Sequence, residues 1–161
     1  MFTVSILTIS DKGARGQRYD ESGRIIRDFF SELDSGVINY EIVPDELDVI
    51  RQRLVEWADS SETDVIITTG GTGLGERDVT PEATIAVVDR VVPGFTEAMR
   101  AKSLSKTPMA MLSRATAGIR GKSLIINLPG SPKAVRECLE VVLPAIPHAV
   151  DIIKGVVTEH S

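Results

Sequence analysis

Apolar and polar positions follow two different periods along this 161-residue chain. Short runs rich in β-branched residues predict strands, and apolar residues three and four positions apart predict helices between them. Strands are predicted over residues 4–9, 37–43, 65–68, 115–119 and 123–128. Helices are predicted over residues 25–33, 50–58, 80–88, 95–104 and 135–142, with a closing helix that ends at residues 154–155. Because helices separate most of the strands, the pattern indicates right-handed βαβ crossovers and a largely parallel sheet.

The predicted fold class is therefore α/β, as a single domain over residues 1–161. No linker, repeat or low-complexity stretch interrupts the chain, and its length is sufficient for one substantial core. The last two predicted strands are joined by Arg120-Gly121-Lys122 and form a small hairpin at one side of the sheet. Ligands of open α/β sheets bind beyond the carboxyl ends of the strands. The loops that start at residues 10, 44, 70 and 129 are therefore expected to face one crevice.

The most informative stretch is a loop of glycine and threonine that follows the third predicted strand. Its small and hydroxyl-bearing residues are Thr68, Thr69, Gly70, Gly71, Thr72, Gly73 and Gly75. Thr80 is the expected cap of the next helix and Pro81 its first residue. Glycines allow close approach of a ligand to backbone N–H groups, and the helix N-terminus favours an anion. The loop is thus typical of phosphate binding, with a tight βα turn as the alternative.

Known nucleotide-binding fingerprints do not fit this loop. After Gly71-Thr72-Gly73 the third glycine of Gly-x-Gly-x-x-Gly is missing, and no Gly-Lys-Ser or Gly-Lys-Thr occurs in the chain. A dinucleotide-dependent dehydrogenase and a P-loop NTPase are therefore not indicated.

Composition narrows the class of protein further. Hydrophobic residues make up 42% and charged residues 25%, which is ordinary for a globular domain, and the net charge of −5 argues against nucleic-acid or anionic-membrane binding. No signal peptide or transmembrane run is recognisable, so a cytoplasmic location is expected. The single cysteine, Cys138, is predicted to pack inside a helix. His148 and His160 lack the spacing of a zinc site.

Two further loops at the predicted sheet edge are candidates for ligand binding. The stretch after the first strand contains Lys12, Arg15 and Arg18, which can be either a solvated charge run or part of a ligand site. After the last strand, Ser131 is the expected N-cap of a helix that begins at Pro132. A cap stabilises by about 1 kcal/mol, and the same free N–H groups could hold a second phosphate.

With these segments assembled, the chain resembles the molybdopterin adenylyltransferase family, the MogA/MoaB type shared with the G domain of gephyrin. The resemblance spans nearly the whole chain, and its order of motifs is highly specific. The motifs are Thr8-Ile9-Ser10-Asp11, residues 20–23, Pro44-Asp45, Thr68-Thr69-Gly70-Gly71-Thr72-Gly73, Arg77-Asp78-Val79-Thr80-Pro81-Glu82-Ala83, Ala110-Met111-Leu112-Ser113-Arg114 and Leu128-Pro129-Gly130-Ser131-Pro132.

The resemblance implies a three-layer αβα fold and a homotrimer, with hexamers in some relatives. It implies Mg²⁺-dependent transfer of AMP from ATP to the terminal phosphate of molybdopterin, before molybdate is inserted by a further enzyme. The implied catalytic and metal-binding carboxylates are Asp45 and Asp78, and Ser113 is implied to contact the pterin. The other implied substrate-binding residues are Ser10, Asp11, Thr69, Gly70, Gly71, Thr72, Gly73, Pro129, Gly130 and Ser131.

The residue chemistry agrees with that reading. Adenylyl transfer needs no protein nucleophile, only positioning and charge neutralisation. A carboxylate about 4 Å from a phosphate charge is repelled by roughly 4 kcal/mol at an effective dielectric constant of 20, so two carboxylates in a triphosphate site imply Mg²⁺ between them. Lys12, Arg15, Arg77 and Lys133 are candidates for neutralising the remaining charge. Two alternatives remain open: a silent molybdopterin-binding relative, and a trimeric scaffold.

Overall fold

The order of strands and helices follows the predicted alternation. In the computed structural model, which describes residues 1–156, the strands are β1 (Phe2–Ile9), β2 (Ser35–Val43), β3 (Val65–Thr69), β4 (Arg90–Val91), β5 (Ala117–Arg120) and β6 (Ser123–Leu128). The helices are α1 (Asp11–Ala14), α2 (Glu21–Ser31), α3 (Leu47–Asp59), α4 (Thr80–Val87), α5 (Pro93–Leu104), α6 (Pro132–Val142) and α7 (Ile146–Lys154). Short 3₁₀ turns cover Pro108–Leu112 and Leu143–Ala145.

The six strands form one sheet in the order β2-β1-β3-β6-β5-β4. The first four strands in that order are parallel, and β5 runs antiparallel to both β6 and β4. The prediction of a mostly parallel sheet with a small hairpin at one side is confirmed. Strand β4 was not predicted, because two residues are too few to show a period.

Helices cover both faces of the sheet, which confirms the three-layer α/β architecture. Alternate residues of each central strand point to opposite faces: Ile6 packs on the side of α2, α5, α6 and α7, whereas Leu7 packs on the side of α3 and α4. Both strand residues are fully buried. The near-continuous apolar runs of β1, β3 and β6 follow from this burial on two faces.

Two predictions about helix starts have opposite outcomes. Ser131 caps α6 as predicted, since its hydroxyl accepts a hydrogen bond from Ala134 N at 3.3 Å. The prediction that Thr80 caps α4 is wrong, because the N-cap is Val79 and no side chain caps this helix. The Thr80 hydroxyl instead donates to the Gly70 carbonyl at 2.9 Å, so tertiary contact takes precedence over local capping.

Cys138 is buried among core side chains, as predicted, and burial raises the pKa of its thiol. His160 lies outside the described residues. In the part of the chain that the structure describes, no helix is both long and apolar enough to span a membrane.

Candidate functional site

A crevice of about 630 Å³ lies at the carboxyl end of the parallel strands. The strand order places β2 on one side of β1 and β3 on the other, so the crevice opens at the point where the chain changes direction across the sheet. Ser10, Asp45, Gly70 and Gly130, one from each of four loops, line it together. The prediction that these loops face a common crevice is confirmed.

Backbone geometry makes glycine necessary at the start of the Gly/Thr loop. Gly70 and Gly71 have φ angles of 101° and 69°, which other residues rarely adopt. A Cβ atom on Gly70 would clash with the Ile9 carbonyl, and one on Gly71 would clash with the Thr80 hydroxyl and lie 3.2 Å from Asp45 Oδ1. The loop therefore passes directly over β1 and beside the first predicted catalytic carboxylate.

Asp45 is held by a reciprocal pair of hydrogen bonds to the neighbouring loop. Its Oδ2 accepts from Asp11 N at 2.9 Å, and its own N–H donates to Asp11 Oδ1 at 3.0 Å. The N-cap of α3 is Glu46, so the Asp45 carboxylate does not serve as that helix cap. Within residues 1–156, Asp45 Oδ1 has no hydrogen-bond partner. One oxygen thus fixes the side chain and the other remains available to a ligand.

The two paired aspartates differ in acidity. Burial is the main cause of a raised pKa at Asp45, and the negative charges of Asp11 and Asp78 raise it further. The Arg77 guanidinium and the backbone N–H of Asp45 lower the pKa of Asp11 to about 2. Asp45 therefore lies in a negative environment that a cation would relieve.

Arg77, predicted to neutralise phosphate, forms ion pairs with protein carboxylates. Its Nε and Nη2 donate to Asp11 at 2.7 and 3.0 Å, and Nη2 also donates to Glu46 at 3.0 Å. It thereby connects the loops after β1, β2 and β3. In the structure Arg77 holds these loops together, and its contact with phosphate stays a prediction.

Asp78, the second predicted catalytic residue, faces the same crevice from the far end of the Gly/Thr loop. Its Oδ2 accepts from Gly75 N at 2.8 Å, whereas its Oδ1 makes no hydrogen bond to any residue that the structure describes. Arg114 fixes the backbone around it, donating to the carbonyls of Asp78 at 2.6 Å and Gly73 at 2.8 Å. Arg114 also forms an ion pair with Glu82 at 2.6 Å.

The buried side chain of Asn127 holds the start of the Gly/Thr loop. This side chain is fully buried on β6 and donates to the hydroxyls of Thr68 and Thr84, each at 3.0 Å. Thr69 donates to the Pro129 carbonyl at 2.7 Å, which joins the loop to the Pro-Gly-Ser-Pro turn. Thr68 therefore belongs to the protein interior, and Thr69 links two loops of the crevice.

Some predicted site residues do not line the crevice. Of the residues within 1–156, the crevice lining does not include Thr72, Gly73 or Ser113. These three are adjacent to one another, since Arg114 N donates to the Thr72 carbonyl at 2.8 Å. The lining also lacks Asp11, Pro129 and the predicted cations Lys12, Arg15, Arg77 and Lys133, among the residues described. Lys12, Arg15 and Lys133 are exposed.

Two lining residues were noted in the sequence without a site role of their own: Arg18 only as part of a charge run and Asp20 only as part of a motif. Asp20 caps α2 through Gly23 N at 3.0 Å, and it accepts from Thr8 Oγ1 at 2.6 Å and from the Tyr40 hydroxyl. Ser22 donates to the Gly130 carbonyl at 2.8 Å, which closes the crevice on this side. An aspartate three residues before a glycine at the start of an amphipathic helix is a capping signal that could have located Asp20.

The comparisons with known proteins agree with this architecture. Residues 5–148 match the family model described as "Probable molybdopterin binding domain". The chain is 51% identical over 154 residues to the molybdopterin adenylyltransferase of Helicobacter pylori strain J99, covering 94% of this chain and 88% of that protein. It is 37% identical over 166 residues to the molybdopterin adenylyltransferase of Escherichia coli strain K12, with 94% and 85% covered.

A solved structure has nearly the same fold. The crystal structure of the molybdopterin biosynthesis enzyme MoaB from Thermus thermophilus gives a TM-score of 0.91 at 54% sequence identity, covering 96% of this chain and 98% of that one. Similarity over almost the whole of both chains includes all four loops that form the crevice.

Proposed function

The chain belongs to the molybdopterin-binding domain family, and we propose that it is an adenylyltransferase that moves AMP from ATP to the terminal phosphate of molybdopterin, releasing pyrophosphate. Relatives that are 51% and 37% identical over nearly their whole length bear the name molybdopterin adenylyltransferase. This identity over 94% of the chain supports the same reaction class here.

The observation that carries the proposal is the convergence of Asp45 and Asp78 on one crevice. The two residues come from loops after different strands, and each keeps one carboxylate oxygen without a partner among residues 1–156. Burial raises the pKa of Asp45, and a bound cation would offset this cost of keeping its carboxylate charged. Two aimed carboxylates beside a glycine-rich loop fit the handling of a metal-bound polyphosphate.

These two carboxylates fit Mg²⁺ in the form in which it accompanies a nucleotide. Mg²⁺ is commonly held by one or two carboxylates, with waters and substrate phosphates completing the octahedron. No group of three or more His, Cys, Asp or Glu side chains arranged for a metal occurs in the described part of the chain. We therefore propose that Asp45 and Asp78 receive the ion together with ATP, where it neutralises charge on the phosphates.

The pterin end of the substrate site is proposed to lie at Ser113, as the family resemblance implies. Ser113 is half-buried and does not line the main crevice, and the N–H of its neighbour Arg114 donates to the Thr72 carbonyl, so it lies near the Gly/Thr loop. The loop would then separate the two substrates and bring their phosphates together above it. Gly70, Gly71 and the Ser131 turn are proposed to contact the phosphates.

The assembly is proposed to be a homotrimer or a hexamer, as the family resemblance implies. The apolar closing helices do not by themselves require it, because Leu139, Val142, Ile146 and Val150 are buried within one chain. An apolar cavity of about 580 Å³ between α5 and α7 remains open to a second chain. We also propose a cytoplasmic location and delivery of the product to a molybdate-inserting enzyme.

The proposed activity can be tested with purified protein, ATP, Mg²⁺ and molybdopterin. We expect adenylyl-molybdopterin and pyrophosphate to form in equal amounts, measured by chromatography and a coupled pyrophosphate assay. Binding of molybdopterin without product at saturating substrate would contradict the proposal and favour a silent binding relative. A trimer that binds neither substrate would favour the scaffold.

A further inference from the structure

A second cavity, of about 520 Å³, adjoins the main crevice on the side of β2. The two share a wall formed by Gly13, Arg18, Tyr19 and Asp20. Tyr40 and Ile42 of β2 line its far side. A ligand lying along the crevice can therefore extend past Arg18 into this space.

The charged side chains that line the main crevice are mostly negative, whereas those that line the adjoining cavity are mostly positive. The main crevice is lined by Asp20, Glu21, Asp45 and Asp78 against the single guanidinium of Arg18. The adjoining cavity is lined by Arg18, Arg24 and Arg27 against Asp20 and Asp28. Asp20 already accepts hydrogen bonds from Thr8, Tyr40 and Gly23, which offset its charge. An anion is therefore favoured in the adjoining cavity over the main crevice.

The three arginines retain donors that a ligand could use. Arg18 makes no hydrogen bond or ion pair with residues 1–156. Arg24 donates Nη1 to the Tyr19 hydroxyl at 3.0 Å, and the Arg27 guanidinium lies 5.1 Å from the centre of the Tyr40 ring. By contrast, Arg77 and Arg114 already donate to carboxylates. Guanidinium groups that form no ion pair with a carboxylate of residues 1–156 are suited to bidentate recognition of phosphate.

Resting on the proposed function, we infer that Arg18 and the adjoining cavity form the subsite for the β- and γ-phosphates of ATP, and so for the pyrophosphate that leaves. In adenylyl transfer an oxygen of the molybdopterin phosphate forms a bond to the α-phosphorus. The bond from that phosphorus to the bridging oxygen of the β-phosphate breaks, and its electron pair departs with pyrophosphate.

The strand order gives this reaction a direction. Attack and departure are in line, so the leaving group must lie opposite the nucleophile. The proposed pterin end, Ser113, immediately precedes Arg114, whose N–H donates to the Thr72 carbonyl in the loop after β3, whereas the cavity is lined by residues of β2. These strands flank β1 on opposite sides. Pyrophosphate thus leaves toward the side of the sheet where Arg18, Arg24 and Arg27 line the adjoining cavity.

Binding of inorganic pyrophosphate with Mg²⁺, measured by calorimetry on the full chain, tests the inference. We expect Arg18→Gln and Arg27→Gln each to weaken pyrophosphate binding about tenfold, as for loss of a hydrogen bond to a charged group. The affinity of the same variants for AMP, which lacks the β- and γ-phosphates, should change less than twofold. Arg18→Lys should restore part of the affinity, because it keeps the charge and loses the planar fork.

The matched control is Arg136→Gln, which removes the same charge from an exposed position on α6. An equal loss of affinity in this control, an unchanged affinity in Arg18→Gln, or no measurable pyrophosphate binding by the wild type would each overturn the inference. A parallel loss of AMP binding in Arg18→Gln would also overturn it. Thermal unfolding of each variant verifies that the fold is intact.

The two proposals fail in different ways. Pyrophosphate binding that depends on Arg18, in a protein that forms no adenylyl-molybdopterin, would sink the proposed function and leave the anion subsite standing. If Arg18→Gln forms adenylyl-molybdopterin normally and added pyrophosphate inhibits it as strongly as the wild type, the proposed function stands and the anion subsite is wrong.

Discussion

Two strand–turn–helix junctions meet at the crevice, and they are built in different ways. The junction between β6 and α6 is short, and Ser131 caps the helix through a bond to a residue three positions away. The junction between β3 and α4 spans ten residues, and its helix has no side-chain cap. Its loop is fixed from outside by Arg114, by the Asn127 network and by close packing over Ile9.

The difference lies in how each helix start is fixed, because both junctions also make long-range contacts. The Ser131 cap closes within four residues of its own sequence, although Ser22 and Thr69 also donate to the Gly130 and Pro129 carbonyls. The Gly/Thr loop leads to a helix without a side-chain cap and is held by Arg114, Asn127 and the contact with Ile9, so it takes its shape only when the sheet is assembled. The two carboxylates proposed to be catalytic depend on such a fixed frame, because small displacements reduce electrostatic stabilisation.

The largest effect is expected at Asp78, in the long loop. Asp78→Asn keeps the size of the side chain and the hydrogen bond from Gly75, but it removes the charge. We expect turnover to fall at least about a hundredfold, as when one electrostatic stabiliser is lost, while molybdopterin still binds. Single-turnover kinetics and a binding titration measure the two effects.

Asp45→Asn should resemble Asp78→Asn, and the double variant should be little slower than either, because both residues are proposed to serve one ion. Near-normal adenylylation by Asp78→Asn would remove this residue from catalysis. Loss of folding and of pterin binding together would assign it to the turn alone.

A matched pair of glycine variants tests the two junctions directly. Gly70→Ala forces an alanine to a φ of 101° and into contact with the Ile9 carbonyl, so we expect a loss of about 2–3 kcal/mol in the free energy of unfolding. Gly130→Ala meets only ordinary contact, 3.4 Å from Gly70 Cα, and should change stability by less than about 0.5 kcal/mol. Urea unfolding gives both values, and equal losses would refute the distinction.

A smaller effect is expected from the cap of the short turn. Ser131→Ala removes a hydrogen bond of 3.3 Å, and we expect a loss of about 0.5–1 kcal/mol in stability. Ser131→Asp should recover most of it, since aspartate is an equally good N-cap. If the aspartate variant remains as unstable as the alanine variant in urea unfolding, the hydroxyl does not act as a cap.

The smallest expected effect is on the pH dependence of stability, through the two carboxylates, Asp11 and Asp45, that lie beside the Gly/Thr loop. The folded pKa of Asp11 is about 2, below its ordinary value of 3.8, so its stabilising contribution is complete above pH 3.8 and lost as pH falls through 2. The raised pKa of Asp45 acts in the opposite sense, because its stabilising contribution is present below pH 3.8 and lost as pH rises through the folded pKa.

Asp11→Asn should therefore flatten the decline in stability between about pH 4 and pH 2 in urea unfolding. The effect of Ser131→Ala should not vary over this range, because residues 128–133 contain no carboxylate. An unaltered slope in Asp11→Asn would show that the Asp11–Arg77 ion pair contributes nothing to folding.

The sequence by itself determined the features that depend on neighbours along the chain. The period of apolar residues located β1, β2, β3, β5 and β6, and parallel pairing of β1, β2, β3 and β6 then placed the loops after these four strands at one edge. Ser131 and Pro132 located the start of α6 for the same reason, since a cap acts over four residues. The motifs from Thr8 to Pro132 were specific enough to indicate the family before any fold was known.

The tertiary structure decided what distant residues do to one another. Thr80 is a good cap by its type, yet its hydroxyl bonds Gly70, because the loop brings that carbonyl within 2.9 Å. Arg77 has the charge to bind phosphate, yet its guanidinium already donates to the carboxylates of Asp11 and Glu46. These two residues are 66 and 31 positions away along the chain. Arg18 is one cation among several in its loop, and only the fold places it between two cavities without a protein partner among residues 1–156. Charge and hydrogen-bonding capacity can be read from a sequence, but which partner satisfies them depends on distances that only the folded chain sets.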